Sequence, residues 1–273
     1  MLAWVLSTIF NILFYAFTFF VALVAWLLCL LGGRHIVWYW LKFWGWVVVW
    51  MVRILLLARI EVRGQEHLDP TRPQLIVSKH QSELDIVMLA HVFFDISAVA
   101  MEELTKLPFF GKILKTLDVV LIAVDSGPQG RTEQAIAGGK RMAEQGRSMV
   151  IYPEGELMKL GARERYKRGV YHMYKGMGVE AVPAAVSLGV IWPQRCWRKN
   201  IGVTGAVQYL EPIPPGLTME AFMAAIEERI ENGSMTLLRE HASGEMLEAA
   251  ERRHRLGLNN ADEPVSRDAA NGK

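Results

Sequence analysis

The stretch Leu75-Ile76-Val77-Ser78-Lys79-His80-Gln81-Ser82-Glu83-Leu84-Asp85 decides the reading of this chain. Its first four residues form a short apolar run, the pattern of a buried strand. Residues 85–94 then read as a helix, and Ser82 has the short hydroxyl side chain suited to cap it. Strand, sharp turn and helix follow within twenty residues. Outward from this unit the pattern repeats. Further strands are expected at 96–101, 119–124, 149–152, 181–187 and 202–209, with helices at 102–117, 131–145 and 166–175. A longer helical stretch, 217–255, is expected to break near Gly233 and Gly244. Alternating strands and helices imply an α/β fold, a sheet with helices on its faces, and ligands in such sheets bind beyond the carboxyl ends of strands.

His80 and Asp85 carry the chemistry of that unit. Histidine is the side chain best matched to taking a proton from an alcohol near neutral pH. A carboxylate on its other ring nitrogen fixes the tautomer and stabilises the imidazolium. Five positions along a regular helix turn through about 500°, so the two side chains meet only across a strand-to-helix turn. A second strand end, Tyr152-Pro153-Glu154-Gly155-Glu156, combines a residue without an N–H donor with one that tolerates positive φ, so the backbone turns sharply and presents Glu154.

The first 59 residues are of another kind. No charged side chain occurs between residues 2 and 33, and seven of the nine tryptophans lie in the first fifty positions, although the whole chain is 52% hydrophobic. Hydrocarbon about 30 Å thick needs roughly 20 apolar helical residues, so residues 2–31 are long enough to span with tilt or to dip in and return. A cleaved signal peptide fits poorly, because the start lacks Lys and Arg and no small-residue cleavage site follows. Residues 35–57 mix Trp and Tyr around Lys42 and close with Arg53 and Arg59. Aromatic rings with snorkelling cations suit the headgroup level. Arg34, Lys42, Arg53, Arg59 and Arg63 place this flank on the cytoplasmic side of the membrane. The expected organisation is a membrane-embedded helical head at 1–59, a catalytic domain at 60–257 and a disordered polar tail at 258–273.

A net charge of +2 excludes a global field for nucleic acid. The two cysteines, Cys29 and Cys196, make no metal or redox spacing, no metal site is expected, and a reducing compartment fits the body. No Gly-x-Ser-x-Gly elbow points to a serine hydrolase.

Taken together, residues 60–240 resemble the bacterial 1-acylglycerol-3-phosphate acyltransferase family. Lys79 to Asp85 is similar to its His-x4-Asp block, and Pro108-Phe109-Phe110-Gly111 through Val124-Asp125-Ser126 to its second block. Tyr152-Pro153-Glu154-Gly155-Glu156-Leu157 and Val182-Pro183-Ala184-Ala185 resemble the third and fourth. Tyr166-Lys167-Arg168-Gly169 and the Leu210 to Gly216 segment fall in the same order. The resemblance implies a mixed sheet flanked by helices. It further implies an acyl-carrier-protein or coenzyme A thioester as co-substrate, a lysolipid acceptor drawn from membrane lipids, and no cofactor. His80 and Asp85 would be catalytic, with backbone amides near the turn stabilising the oxyanion. Ser82, Gly111, Ser126, Arg131, Glu154, Gly155, Glu156, Lys167, Arg168 and Pro183 would line the substrate site. Localisation to a bacterial inner membrane, with the catalytic domain on the cytoplasmic face, follows from the same likeness.

Two departures bear on the acceptor. The family has arginines, used for the acceptor phosphate, where this chain has Ser126 and Leu157, and Glu156 replaces a threonine. Two like charges about 4 Å apart cost on the order of 4 kcal/mol at an effective dielectric near 20. Arg131 and the basic cluster from Lys159 to Arg168 are placed to compensate or to meet an acidic carrier protein. The default acceptor is 1-acylglycerol 3-phosphate, with a phosphate-free lyso-aminolipid of the lyso-ornithine-lipid type as the alternative. A catalytically silent lipid-binding protein of the same fold is the rival from another class.

Overall fold

The computed structural model describes residues 1–107 and 109–262. Seven strands form one sheet: β1 (Arg59–Arg63), β2 (Leu75–Ser78), β3 (Ser97–Met101), β4 (Val120–Ile122), β5 (Met149–Ile151), β6 (Ala181–Val186) and β7 (Thr204–Tyr209). Their order is β1-β7-β6-β2-β5-β3-β4. All neighbouring pairs are parallel except β6 with β7, which makes the sheet mixed, as expected. Every residue of β2 and β6 is buried, as the centre of a sheet covered on both faces requires.

The parallel run β6-β2-β5-β3-β4 sets the site's location. All five strands end on one edge, so His80, Tyr152 and Ser126, each just past a strand, project from that edge. Helices α3 (Leu84–Val92), α4 (Phe110–Thr116), α5 (Gly127–Glu144), α6 (Gly169–Met177), α7 (Met219–His241) and α8 (Gly244–Leu256) clothe the sheet.

Four expectations need correction. The helix expected at 102–117 divides into a 3-10 turn, Glu102–Lys106, and α4, and Leu107 between them is extended. A residue before proline avoids the helical region, and Pro108, which lies outside the described residues, follows it. Helix α7 runs unbroken through Gly233, because that glycine serves close packing: a Cβ there would meet Ala185 at 2.9 Å. The break expected near Gly244 is present, at Ala242 and Ser243. β1 was not foreseen; its sequence, Arg-Ile-Glu-Val-Arg, carries the charges of a sheet edge. Finally, the segment from Leu258 to Asp262 packs on the body: the Asn260 side chain donates to the Leu157 carbonyl at 2.7 Å, and Leu258 accepts from the Arg163 N–H at 2.8 Å. The remainder of the expected tail, 263–273, lies outside the described residues.

The head is two helices, α1 (Leu2–Leu31) and α2 (Arg34–Leu55), packed on each other, with α2 against α3 and α1 against α4. α1 is long and apolar enough to cross a membrane. Gly45 lets α2 approach α3 closely, since a Cβ there would lie 2.9 Å from the His91 nitrogen. Phe10 and Phe14 of α1 meet Trp192 of the body edge-on, with centroids 5.3 and 4.9 Å away. Lys42 does not snorkel outward. Its ammonium donates to the carbonyls of His91, Val92 and Phe93 at 3.1–3.4 Å, where the carbonyl end of α3 attracts a cation. Arg34 likewise turns to Asp95, 2.8 Å away.

Candidate active site

Past β2 the chain turns so that His80 Nδ1 lies 2.8 Å from Asp85 Oδ2. A carboxylate can only accept, so Nδ1 carries the proton and Nε2 is left as the basic nitrogen. The same Asp85 oxygen accepts the N–H groups of Gln81 at 2.7 Å and Ser82 at 2.9 Å. Asp85 thereby folds the turn that presents its own partner. The imidazole is stacked on the Tyr152 ring at 4.1 Å, and burial pushes that phenol well above its ordinary range. His80 itself is partly open, with 17% of its side chain accessible.

Ser82 is fully buried. Its hydroxyl donates to the Trp192 carbonyl at 2.9 Å and accepts from the Leu84 N–H at 3.2 Å, so it starts α3 rather than meeting substrate. Glu154 is corrected in the same way. At 1% exposure it does not face an acceptor; one oxygen accepts the His80 N–H at 3.0 Å and the other meets the Lys79 ammonium at 3.0 Å. Pro183 is buried within β6, paired in register with Val77. Gly111 is buried where a Cβ would strike the Thr105 carbonyl at 2.2 Å. These four build the site's frame.

Other expected residues reach the surface. Ser126, Arg131, Glu156, Lys167 and Arg168 are exposed. Gly155 has a φ of +74°, and a Cβ there would lie 2.1 Å from Lys167 Nζ, so the turn and the lysine share one small space. The basic cluster divides. Lys159 Nζ donates to the Asn260 carbonyl at 2.9 Å and Arg163 pairs with Glu227 at 3.1 Å, whereas Arg165, Lys167 and Arg168 remain at the surface.

The amides of His80, Gln81 and Ser82, three of the expected oxyanion donors, all bond carboxylates. Behind Asp85 lies a cavity of about 10 Å³ bounded by Ser78, Met88, Tyr152 and Tyr209. Asp85 is part of its lining, and its buried Oδ1 has no hydrogen-bond partner among the described residues. Sequence reasoning missed Lys79, Glu231 and Tyr166, which sit behind the turn. The signal was a lysine flanking the histidine, but its partners lie 75 and 152 residues away.

Residues 59–187 match the acyltransferase family model. The human 1-acyl-sn-glycerol-3-phosphate acyltransferase beta is 32% identical over 79% of this chain and 77% of its own length. The chain belongs to the 1-acylglycerol-3-phosphate acyltransferase family. A Pseudomonas aeruginosa 1-acyl-sn-glycerol-3-phosphate acyltransferase is 33% identical over 64% of this chain, and the match spans 65% of that relative's length. The fold is shared with the crystal structure of a 1-acyl-sn-glycerophosphate (LPA) acyltransferase from Thermotoga maritima. Its TM-score is 0.67 at 20% identity, covering 88% of this chain and 97% of that one.

Proposed function

We propose that the chain is a membrane-bound O-acyltransferase that moves a fatty acyl group from an acyl-carrier-protein or coenzyme A thioester to the free hydroxyl of a lysolipid. The acceptor is 1-acylglycerol 3-phosphate and the product phosphatidic acid, for phospholipid biosynthesis. The observation that carries this reading is the 2.8 Å His80–Asp85 pair, held at the sheet edge with Nε2 as the free base.

His80 Nε2 takes the acceptor's hydroxyl proton as its oxygen attacks the thioester carbonyl. Asp85 stabilises the imidazolium that forms. Collapse of the tetrahedral intermediate expels the thiolate, which takes the proton back from His80, so the histidine ends as it began. The exposed Arg165, Lys167 and Arg168 supply positive charge for a phosphate headgroup or an acidic carrier protein.

The membrane association rests on the head. Large apolar residues including Phe19, Phe20, Phe43, Trp46 and Trp50 are exposed along α1 and α2, a patch suited to lipid. A cytoplasmic face of a bacterial inner membrane is supported by the cations flanking the head. A phosphate-free lyso-aminolipid is the second acceptor reading, favoured by exposed Glu156 beside Leu157 and by Ser126 in place of an arginine.

Purified protein in detergent, given acyl-carrier-protein and coenzyme A thioesters with lysophosphatidic acid and a lyso-aminolipid, tests this. Transfer to lysophosphatidic acid is expected, falling about 10²–10⁴-fold in kcat in His80→Ala, with a large loss also in Asp85→Asn through the wrong tautomer. Preference for the aminolipid would install the second acceptor. No product with either would favour a silent lipid-binding role, and near-parental turnover in folded His80→Ala would overturn the mechanism.

A further inference from the structure

The Lys79 side chain, 1% exposed, is among the largest fully buried side chains of the molecule. Its ammonium has three donors, and all three find acceptors: Glu231 Oε1 at 2.6 Å, Glu154 Oε1 at 3.0 Å and the Ala162 carbonyl at 3.2 Å. Tyr166 donates its hydroxyl to the same Glu231 oxygen at 3.0 Å. Two carboxyl groups thus face one ammonium in a buried site, and burial raises the Glu154 pKa against the pull of Lys79. Burial alone would lower the Lys79 pKa, but the two glutamates outweigh it and raise it, so the ammonium stays charged.

Such a cluster does not justify itself by stability, because a buried ion pair often does no better than a well-packed apolar substitute. What this one does is grip the segment that carries His80. Glu154 holds Lys79 with one oxygen and the His80 N–H with the other. The His80 carbonyl accepts from the Met158 N–H at 2.6 Å. Both backbone groups of His80 are thus tied to the segment 154–158, and Lys79 ties Glu154 in turn to Glu231. Glu231 lies on α7, which is fixed to the sheet where Ser234 Oγ accepts the Val186 N–H at 3.2 Å.

We infer that Glu231 is a positioning residue for His80, acting through Lys79 and Glu154 and far outside the four sequence blocks. The inference rests on the reading of His80 as the base. With Glu231 neutral, Lys79 has one charged anchor fewer, Glu154 turns toward it, and the His80 N–H loses its best acceptor geometry. The ring then leaves the line between Asp85 and the acceptor hydroxyl. A displacement near 1 Å at a reacting group costs up to about 10²-fold in rate.

The test is Glu231→Gln in full-length protein, alone and combined with Asp85→Asn, with kcat, KM and Tm measured for each. The single variant is expected to lose about 10–100-fold in kcat, with both KM values within about twofold. In Asp85→Asn, where His80 is already in the wrong tautomer, the further loss should be under about threefold, because groups acting as a unit are not additive. A merely structural role would lower Tm and multiply fully in the double variant. Tyr166→Phe, which removes a single hydroxyl, is the milder probe, with about a threefold fall in kcat expected; it decides the matter on the same criteria if Glu231→Gln does not fold. Parental kcat in the folded variants, a loss confined to KM, or full additivity overturns the inference. Parental turnover in His80→Ala overturns the base reading and this inference with it, whereas inactive His80→Ala beside normal Glu231→Gln overturns the inference alone.

Discussion

The head and the sheet expose opposite things. In β2 the apolar side chains Leu75, Ile76 and Val77 point inward and are at most 1% exposed, as in a body bathed by water. In α1 the fully buried side chains include Ser7 and Asn11, while Phe19 is 64% exposed on the same helix. α2 repeats the inversion, with Trp46 51% exposed and Lys42 turned inward onto carbonyls. Buried polar groups are tolerated where they are paired. Ser7 Oγ accepts the Lys199 N–H at 2.8 Å, and Asn11 Nδ2 donates to the Trp197 carbonyl at 2.7 Å. The head is therefore stitched to the body by polar bonds and turned outward by grease, the arrangement a lipid medium favours. It also braces the candidate site, because Phe10 and Phe14 clamp Trp192, whose carbonyl holds Ser82 at the start of α3.

The largest expected effect comes from removing the head. Deleting residues 1–57 strips Val48, Val52 and Leu56, each fully buried, from the α3 side of the core. The remaining body is expected to aggregate and to lose activity, as size-exclusion chromatography and the transfer assay would show. A monomeric and fully active truncation would mean that head and body are independent, and the contrast between them would lose its mechanical meaning.

How much of this was legible in the sequence differs between the two regions for a physical reason. The dyad was legible because a strand, a turn and a helix start are local patterns, and His80 and Asp85 lie five residues apart. The boundaries of β2, β5 and β6 followed from short apolar runs. Lys42 was misread because a cation among aromatics suits either an interface or a helix C-terminus, and only tertiary packing chooses. Glu154 read as an exposed ligand because a Pro-Glu-Gly turn is ordinarily a surface feature; its burial depends on Lys79, 75 residues earlier. Three of the amides expected to face the oxyanion, those of His80, Gln81 and Ser82, are instead accepted by Glu154 and Asp85, carboxylates whose inward turn no local pattern announces.

A paired substitution sharpens the contrast within one helix. Phe10→Ala removes a ring that is 0% exposed, and such truncations cost about 3–5 kcal/mol. Phe19→Ala removes one that is 64% exposed, and should change stability in detergent by less than about 0.5 kcal/mol. Its effect should appear instead in partition between vesicles and buffer, which weakens as apolar area is lost. Thermal unfolding and vesicle sedimentation of the two variants would measure both. Equal destabilisation, or unchanged partition in Phe19→Ala, would erase the inside-out pattern.

The smallest expected effect lies at the seam, in Lys199. This side chain is 2% exposed; its ammonium donates to the Cys196 carbonyl at 2.5 Å and lies 4.3 Å from the Trp192 ring centre. Burial lowers its pKa from 10.5 to about 8, against a partial opposing pull from Glu83. Between those two values the unfolded chain holds a proton that the folded chain has released. Stability then rises with pH through that window, and the contribution is lost as pH falls through the folded value. Relative to Lys199→Met, which cannot titrate, the Tm of the parent should climb by about 2–5 °C between pH 7.5 and pH 10. The slope should lie on the basic side, where most surface carboxylates no longer change charge. A difference that stays flat across that range would show that the Lys199 ammonium stays charged at the seam, with its carbonyl and ring partners matching what water supplies to it in the unfolded chain.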